Sequence, residues 1–312
     1  MLMGEHAVVY GRPCIVSAVS QRMRISAELL DKPEFKLEAA DLNIINYQKP
    51  ISDLGKGEVS KGAKFAELSV RNFIDKYKIT SGFYIKTQSA FSANFGFGSS
   101  SAVVVGVLKA LFELLQMKIP DKELFDIAYK TVLDVQGKGS GFDVAAAIYG
   151  GTLYFQTGGK IIESLPADDM NLVVGYSGVK ADTVPMINLV SEKMKNYKEG
   201  IEKIFDNIAN LVLEAKKTIS EKDWQRLGTL MDFNQNYLED LGVSTQKLNQ
   251  MIDAAKKAGA YGAKLSGAGG GDCMIALVSI DSKSKVSKAI TDADGEIMDV
   301  NTASEGAKVE NV

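Results

Sequence analysis

Asn94-Phe-Gly-Phe-Gly-Ser-Ser-Ser101 runs without a break into the apolar stretch that begins at Ala102, and the reading of that junction decides the fold. Glycines let the backbone take positive φ and bring its N–H groups close to a ligand. The apolar spacing predicts a helix over Ala102–Met117, ended ahead of Pro120. A helix N-terminus carries roughly half a positive charge, so a glycine-rich turn feeding one makes an anion site suited to phosphates. The three serines add hydroxyls for phosphate or for magnesium, which prefers oxygen ligands. Gly96, Gly98, Ser99, Ser100 and Ser101 are therefore the phosphate-binding candidates. The stretch is not a Walker loop, because no Gly-Lys-Ser/Thr follows, nor a G-x-G-x-x-G fingerprint, because position 101 is Ser. The bland alternative is a flexible Gly/Ser turn capped by Ser101.

Two further glycine-rich stretches lie outward from this one. Gly137-Lys-Gly-Ser-Gly-Phe-Asp143 places a carboxylate after a tight turn and ahead of the apolar run Val144–Tyr149. Such a carboxylate can accept a proton from a substrate hydroxyl, and it can equally be a helix N-cap. Ser266-Gly-Ala-Gly-Gly-Gly-Asp272 precedes a strand predicted over Cys273–Val278. Its glycines cost conformational entropy, which points to close backbone approach rather than to a mobile hairpin. Elsewhere, strands are expected at Ala7–Tyr10, Cys14–Val19, Arg22–Ala27, Gly82–Thr87, Thr152–Gln156 and Asn171–Tyr176. Helices are expected at Phe65–Tyr77, at Glu123–Val135 with Asp121 as its N-cap, and across Thr183–Ile219, Glu221–Leu241 and Thr245–Ala258. The polar run Pro166–Met170 suggests a boundary between domains 1–168 and 169–312.

Composition excludes several classes. The 312 residues are 46% hydrophobic and 24% charged, with a net charge of -3, which argues against bulk nucleic-acid binding. Cys14 and Cys273 form no C-x-x-C pair, as expected of a reducing compartment. With His6 as the single histidine, zinc-finger and H-E-x-x-H chemistry are unavailable. Apolar runs fall short of the ~20 residues a membrane span needs, and Glu5 and His6 interrupt the start where a signal peptide would be apolar. The expectation is a cytoplasmic protein with no membrane partner.

With Gly4-Glu-His-Ala-Val-Val-Tyr-Gly11, these stretches resemble the GHMP kinase superfamily, in its mevalonate-kinase branch. Gly96–Ala102 is similar to the family's phosphate loop G-L-G-S-S-A-A, and Ser266–Asp272 to its third motif, G-A-G-G-G-G. Ser177–Thr183 is similar to a stretch that ends in a substrate-side threonine. The resemblance spans essentially the whole chain and implies an α+β GHMP kinase fold. The N-terminal domain would be like ribosomal protein S5 domain 2 and would bind ATP; the C-terminal domain would be ferredoxin-like. It further implies ATP and Mg2+ as cofactors, Ser100 as a magnesium ligand and Asp143 as the catalytic carboxylate. Glu5, His6, Thr183, Gly267, Ala268 and Gly269 would lie by a small-molecule substrate, and family members are often homodimers.

The chain also departs from the family pattern. The family's A-P-G-K does not precede Gly4, so either the native chain begins earlier or another cation serves, Lys138 being nearest in sequence. Ser92 and Asn94 replace the usual Pro and Gly, a mild change because Asn tolerates the left-handed conformation. Val132 stands where mevalonate kinases carry a magnesium-binding Glu, and Asp134, about 200° further round a helix, would face away. Gly137–Asp143 and Gly-Gly-Gly-Asp272-Cys273 resemble phosphomevalonate kinases more. The expected activity is thus phosphorylation of mevalonate, with phosphomevalonate as the alternative, where Lys138, Lys180, Arg12 and Lys264 could hold a second anion. A non-catalytic ligand sensor on the same fold is the remaining class.

Overall fold

The computed structural model describes residues 1–90 and 98–310, so Ser92, Asn94 and Gly96 of the first glycine-rich stretch lie outside the described residues. In chain order the strands are β1 (Pro13–Ser17), β2 (Met23–Leu30), β3 (Glu34–Ala39), β4 (Ile44–Pro50), β5 (Gly82–Ser89) and β6 (Thr152–Gln156). Then come β7 (Ile161–Leu165), β8 (Leu172–Tyr176), β9 (Gly262–Ser266), β10 (Cys273–Leu277) and β11 (Glu296–Met298). The helices are α1 (Lys61–Tyr77), α2 (Ser99–Leu114), α3 (Asp121–Gln136), α4 (Phe142–Tyr149) and α5 (Thr183–Asn196). They continue with α6 (Lys198–Glu221), α7 (Trp224–Asp240), α8 (Gln246–Lys257) and α9 (Lys283–Asp292).

The chain packs as two compact units that interleave in sequence. One holds residues 1–20 and 151–304; the other holds, among the described residues, 21–90, 98–150 and 305–310. Packing thus follows a different line from the contiguous division 1–168 and 169–312. The reason lies in β6, which pairs antiparallel with β1 from Pro13↔Gln156 to Ser17↔Thr152 and carries β7 on its other side. Ile15, Tyr154 and Leu165 from these strands share one core with Phe205, Val212 and Ile219 of α6.

Within residues 21–150, the sheet order is β2-β5-β3-β4, with β3 and β5 parallel and the other neighbours antiparallel. Ser60 caps α1, its hydroxyl accepting from the Ala63 N–H at 3.3 Å. The helix turns Phe73 inward, where its ring meets Phe83 of β5 and Phe112 of α2 edge-on, with centroids 6.4 and 5.0 Å away.

The other unit is built round a four-stranded antiparallel sheet in the order β11-β8-β10-β9. Numbered along the chain that is 4-1-3-2, with helices between the first and second strands and between the third and fourth, the expected ferredoxin-like topology. The buried residues of α6, Ile201, Phe205, Ile208, Val212, Ala215 and Ile219, recur in steps of four and three, which puts one apolar stripe on the core. The outer edge of β9 is closed by α7: the Ala263 and Leu265 N–H groups donate to Asp232 Oδ1 at 3.0 Å and Gln235 Oε1 at 2.9 Å.

Three local expectations are corrected. Ala7–Tyr10 is a 3-10 turn, not a strand, because Gly4 (φ 100°) and His6 (φ 60°) coil the backbone before it and the Val9 N–H returns to the His6 carbonyl. Gly4 is required there, since a Cβ would lie 2.7 Å from the Pro13 carbonyl oxygen. Thr183–Ile219 breaks at Tyr197 into α5 and α6. Pro120, not Asp121, holds the cap position of α3, and Asp121 is its first helical residue, still close to the positive end of the helix dipole.

Candidate active site

Two of the glycine-rich stretches meet within one unit. Gly98 takes the left-handed conformation (φ 74°) and caps α2, so Ser99, Ser100 and Ser101 form the first turn of that helix. Their N–H groups are those a helix leaves without intrahelical acceptors. Gly141 does the same for α4 (φ 90°), which puts Asp143 in its first turn. The Ser101 hydroxyl donates to Asp143 Oδ2 at 2.6 Å, and Asp143 Oδ1 accepts the Val144 N–H at 3.0 Å. Asp143 is therefore oriented from two sides, directly beside Gly98. Ser101 is buried and its hydroxyl is spent on Asp143, whereas Ser99 and Ser100 are part-exposed at the mouth of α2.

Tyr129 of α3 supports the turn that carries Asp143. Its hydroxyl donates to the Gly139 carbonyl at 2.9 Å, and its ring lies where a side chain on Gly141 would be. Burial, with the charge of Asp143 as a second cause, raises its pKa and keeps the hydroxyl protonated. Nothing in the sequence sets this tyrosine apart from a core aromatic. Val132 is buried at 2% exposure, and Asp134 turns to Lys130 (2.6 Å) and to Asn72 Nδ2 (2.9 Å). Position 132 thus offers no carboxylate, and Asp134 serves α1 and α3. Among the described residues no group of three or more His, Cys, Asp or Glu could hold a metal. What is present, a part-exposed serine hydroxyl and one carboxylate at two helix N-termini, fits an ion such as Mg2+. That ion keeps most of its water and takes its other ligands from phosphates.

The remaining candidates lie in the other unit. His6 Nε2 donates to the Ala268 carbonyl at 2.8 Å, which leaves Nδ1 as the unprotonated nitrogen, buried and without a partner. Burial lowers the pKa of His6, so the ring is held neutral. Glu5 pairs through Oε1 with the Lys264 ammonium, both side chains fully buried, while Glu5 Oε2 is buried and without a partner. Lys264 also donates to the Leu265 carbonyl at 2.5 Å, and burial pulls its pKa down against the attraction of Glu5. Asn234 Oδ1 accepts the Gly4 N–H at 3.2 Å, and its Nδ2 is a third buried atom without a partner. The three atoms cluster around Gly4–His6, a buried polar centre joining the first turn of the chain to β9 and α7. The sequence singled out both residues, Lys264 beside the third glycine stretch and Glu5 in Gly4–Gly11, but not their pairing across 259 residues.

The third glycine-rich stretch is packed rather than open. Side chains at Gly269 and Gly271 would lie 2.2 Å from the Val243 carbonyl oxygen and 2.5 Å from that of Val179. The Gly270 N–H donates to Val243 O at 2.8 Å. Thr183 opens α5 next to Asp182, whose Oδ1 caps the Val184 N–H at 3.3 Å. The predicted residues thus fall into two sets: Gly98–Ser101 with Asp143 in one unit, and Glu5, His6, Thr183 and Gly267–Gly269 in the other. Of the further cations, Arg12 is bound to Glu202 at 2.5 Å and Asp206 at 2.9 Å.

Comparison with known proteins gives the family. The family description "GHMP kinases N terminal domain" matches residues 64–151, and "GHMP kinases C terminal" matches 215–295. A curated mevalonate kinase of Pyrococcus abyssi is 34% identical over all of this chain and 96% of its own length. The crystal structure of the Methanococcus jannaschii mevalonate kinase is 26% identical with a TM-score of 0.81, covering 96% of this chain and 94% of that one. A phosphomevalonate kinase of Streptococcus pneumoniae, at 17% identity and a TM-score of 0.78 over 96% of both chains, is similar in fold alone. The chain is an ATP-dependent kinase and belongs to the GHMP kinase superfamily, in its mevalonate kinase family.

Proposed function

We propose that this kinase transfers the γ-phosphoryl group of ATP to the primary hydroxyl of mevalonate, with Mg2+ as cofactor. The observation that carries the reading is the Ser101–Asp143 hydrogen bond of 2.6 Å, which fixes a carboxylate beside Gly98 and the first N–H groups of α2. Those N–H groups, with the Ser99 and Ser100 hydroxyls, bind the phosphates; Asp143 accepts the proton of the acceptor hydroxyl. Ser100 is the magnesium ligand from this chain, and the ion neutralises charge on the phosphates when bound. Glu5, His6, Thr183 and Gly267–Gly269 lie by the substrate. Along the sequence the ATP-binding part would run over 1–168 and the C-terminal part over 169–312, with 1–20 and 151–168 packing on the latter. A cytoplasmic homodimer is the state that the family resemblance suggests.

Two features weigh against phosphomevalonate as acceptor. A second anion needs additional cations, and two of the four candidates, Arg12 and Lys264, are committed to carboxylates. Asp272, which resembles phosphomevalonate kinases, accepts a backbone N–H at Ala181 and so has a reason to exist apart from substrate choice. Coupled ADP release with mevalonate and with 5-phosphomevalonate tests the reading. Turnover of mevalonate alone is expected; turnover of phosphomevalonate alone would overturn it, and turnover of neither would favour a non-catalytic sensor.

A further inference from the structure

Between β8 and α5, residues 177–182 form an irregular strap that leads to Thr183. Three of its hydrogen bonds end on one residue. The Ser177 N–H donates to the Asp272 carbonyl at 2.8 Å, the Asp272 N–H donates to Val179 O at 2.7 Å, and the Ala181 N–H donates to Asp272 Oδ1 at 2.9 Å. Asp272 adopts φ 53°, a left-handed conformation that Asp visits more readily than most residues with a side chain. It is also the last residue of the third glycine-rich stretch, directly after Gly271, whose missing side chain lets Val179 O approach. One residue therefore joins the strap to the glycine loop through its N–H, its carbonyl and its carboxylate.

We infer that Asp272 is a positioning residue for the acceptor substrate, a latch that holds 177–182 against the 267–271 loop and so sets the place of Thr183. The inference rests on the substrate reading above for Thr183 and Gly267–Gly269. Asp272 itself touches no reacting atom. Burial raises its pKa while the Ala181 N–H and the charge of Lys180 lower it, consistent with a half-buried carboxylate whose work is to accept a backbone hydrogen bond.

The test uses Asp272→Gly, which keeps the left-handed backbone and removes the carboxylate, and Asp272→Asn, which keeps the acceptor oxygen and removes the charge. KM for mevalonate and for ATP, kcat, and deuterium uptake of a peptide spanning 177–183 are measured on each full-length protein. Asp272→Gly should raise KM for mevalonate about tenfold and speed exchange at 177–183 about tenfold, with kcat and KM for ATP within threefold. Asp272→Asn should restore both. Unchanged exchange and KM in Asp272→Gly would overturn the latch, as would a thousandfold loss of kcat at constant KM. Failure of Asp272→Asn to restore either would show that charge, not the hydrogen bond, acts, and would also overturn it. If the wild type does not turn over mevalonate, the substrate reading fails, and the exchange result alone decides whether the latch exists.

Discussion

Asp143 and Asp272 look alike in the sequence, each closing a glycine-rich run ahead of an apolar segment, yet the structure uses them in opposite ways. Asp143 enters the first turn of α4, where one oxygen accepts the Val144 N–H of its own helix and the other the Ser101 hydroxyl of α2. Asp272 stays in a left-handed turn before β10 and takes its hydrogen bond from the backbone, at Ala181. A carboxylate oriented by a hydroxyl at paired helix N-termini is suited to proton transfer. One consumed by a backbone N–H is suited to holding a loop. The difference lies in the element that each glycine run leads into, a helix in one case and a strand in the other.

That contrast predicts very unequal mutational effects. Asp143→Asn should lower kcat by about 10²–10⁴-fold, the usual worth of a general base, with KM for ATP nearly unchanged. Steady-state kinetics at saturating ATP decide it, and a loss of less than tenfold would remove Asp143 from the chemistry. The next largest effect is on stability. Lys264→Met leaves Glu5 as an uncompensated buried charge, which should cost about 3–5 kcal/mol in urea unfolding, while Lys264→Met with Glu5→Gln should recover most of it. A double variant as unstable as the single would show that Lys264 supports more than its pair.

Ser101→Ala sharpens the comparison from the Asp143 side. Hydrogen bonds to charged groups are worth about 1.5–3 kcal/mol, so kcat should fall roughly 10- to 100-fold, with KM for ATP moving less than threefold. Ser100→Ala should instead shift the Mg2+ dependence and leave the Asp143 geometry intact. Equal effects of the two on kcat and on Mg2+ dependence would erase the distinction between an orienting and a ligating serine.

How far the sequence was legible depends on the range of the interactions involved. Helix α2 was readable because the glycines that start it and the proline beyond it are local signals, and α6 because its apolar residues repeat within its own length. Ala7–Tyr10 misled because Val-Val-Tyr favours strands, while the left-handed turn at Gly4 that precedes it is set by close approach to Pro13 and Cys14. The site was half legible. Its motifs stand in continuous stretches, but the pairings Ser101–Asp143 and Glu5–Lys264 join residues 42 and 259 apart, which no local pattern encodes. Lys264 was thus readable as a cation by the third glycine stretch, while its burial on Glu5 was not.

The smallest predicted effect asks whether the region around the third glycine stretch is as closed as its packing indicates. His6 is bound to Ala268 there, and burial lowers its pKa below the ordinary value of about 6.5. The unfolded chain therefore takes up a proton as pH falls through about 6.5, whereas the folded chain does not until its own lower pKa is reached. The contribution of His6 to stability should be fully present above about pH 6.5 and be lost below it by up to about 1.4 kcal/mol per pH unit. His6 is the single histidine, but burial also lowers the pKa of the Met1 amino group, so the share that belongs to His6 is the difference in slope between the wild type and a His6 variant. His6→Asn should reduce the slope of the urea-unfolding free energy between about pH 6.5 and 5.5. If the slope is the same in the variant as in the wild type, the ring is open to water and the Gly267–Asp272 loop is less tightly closed than the Asp272 contacts imply.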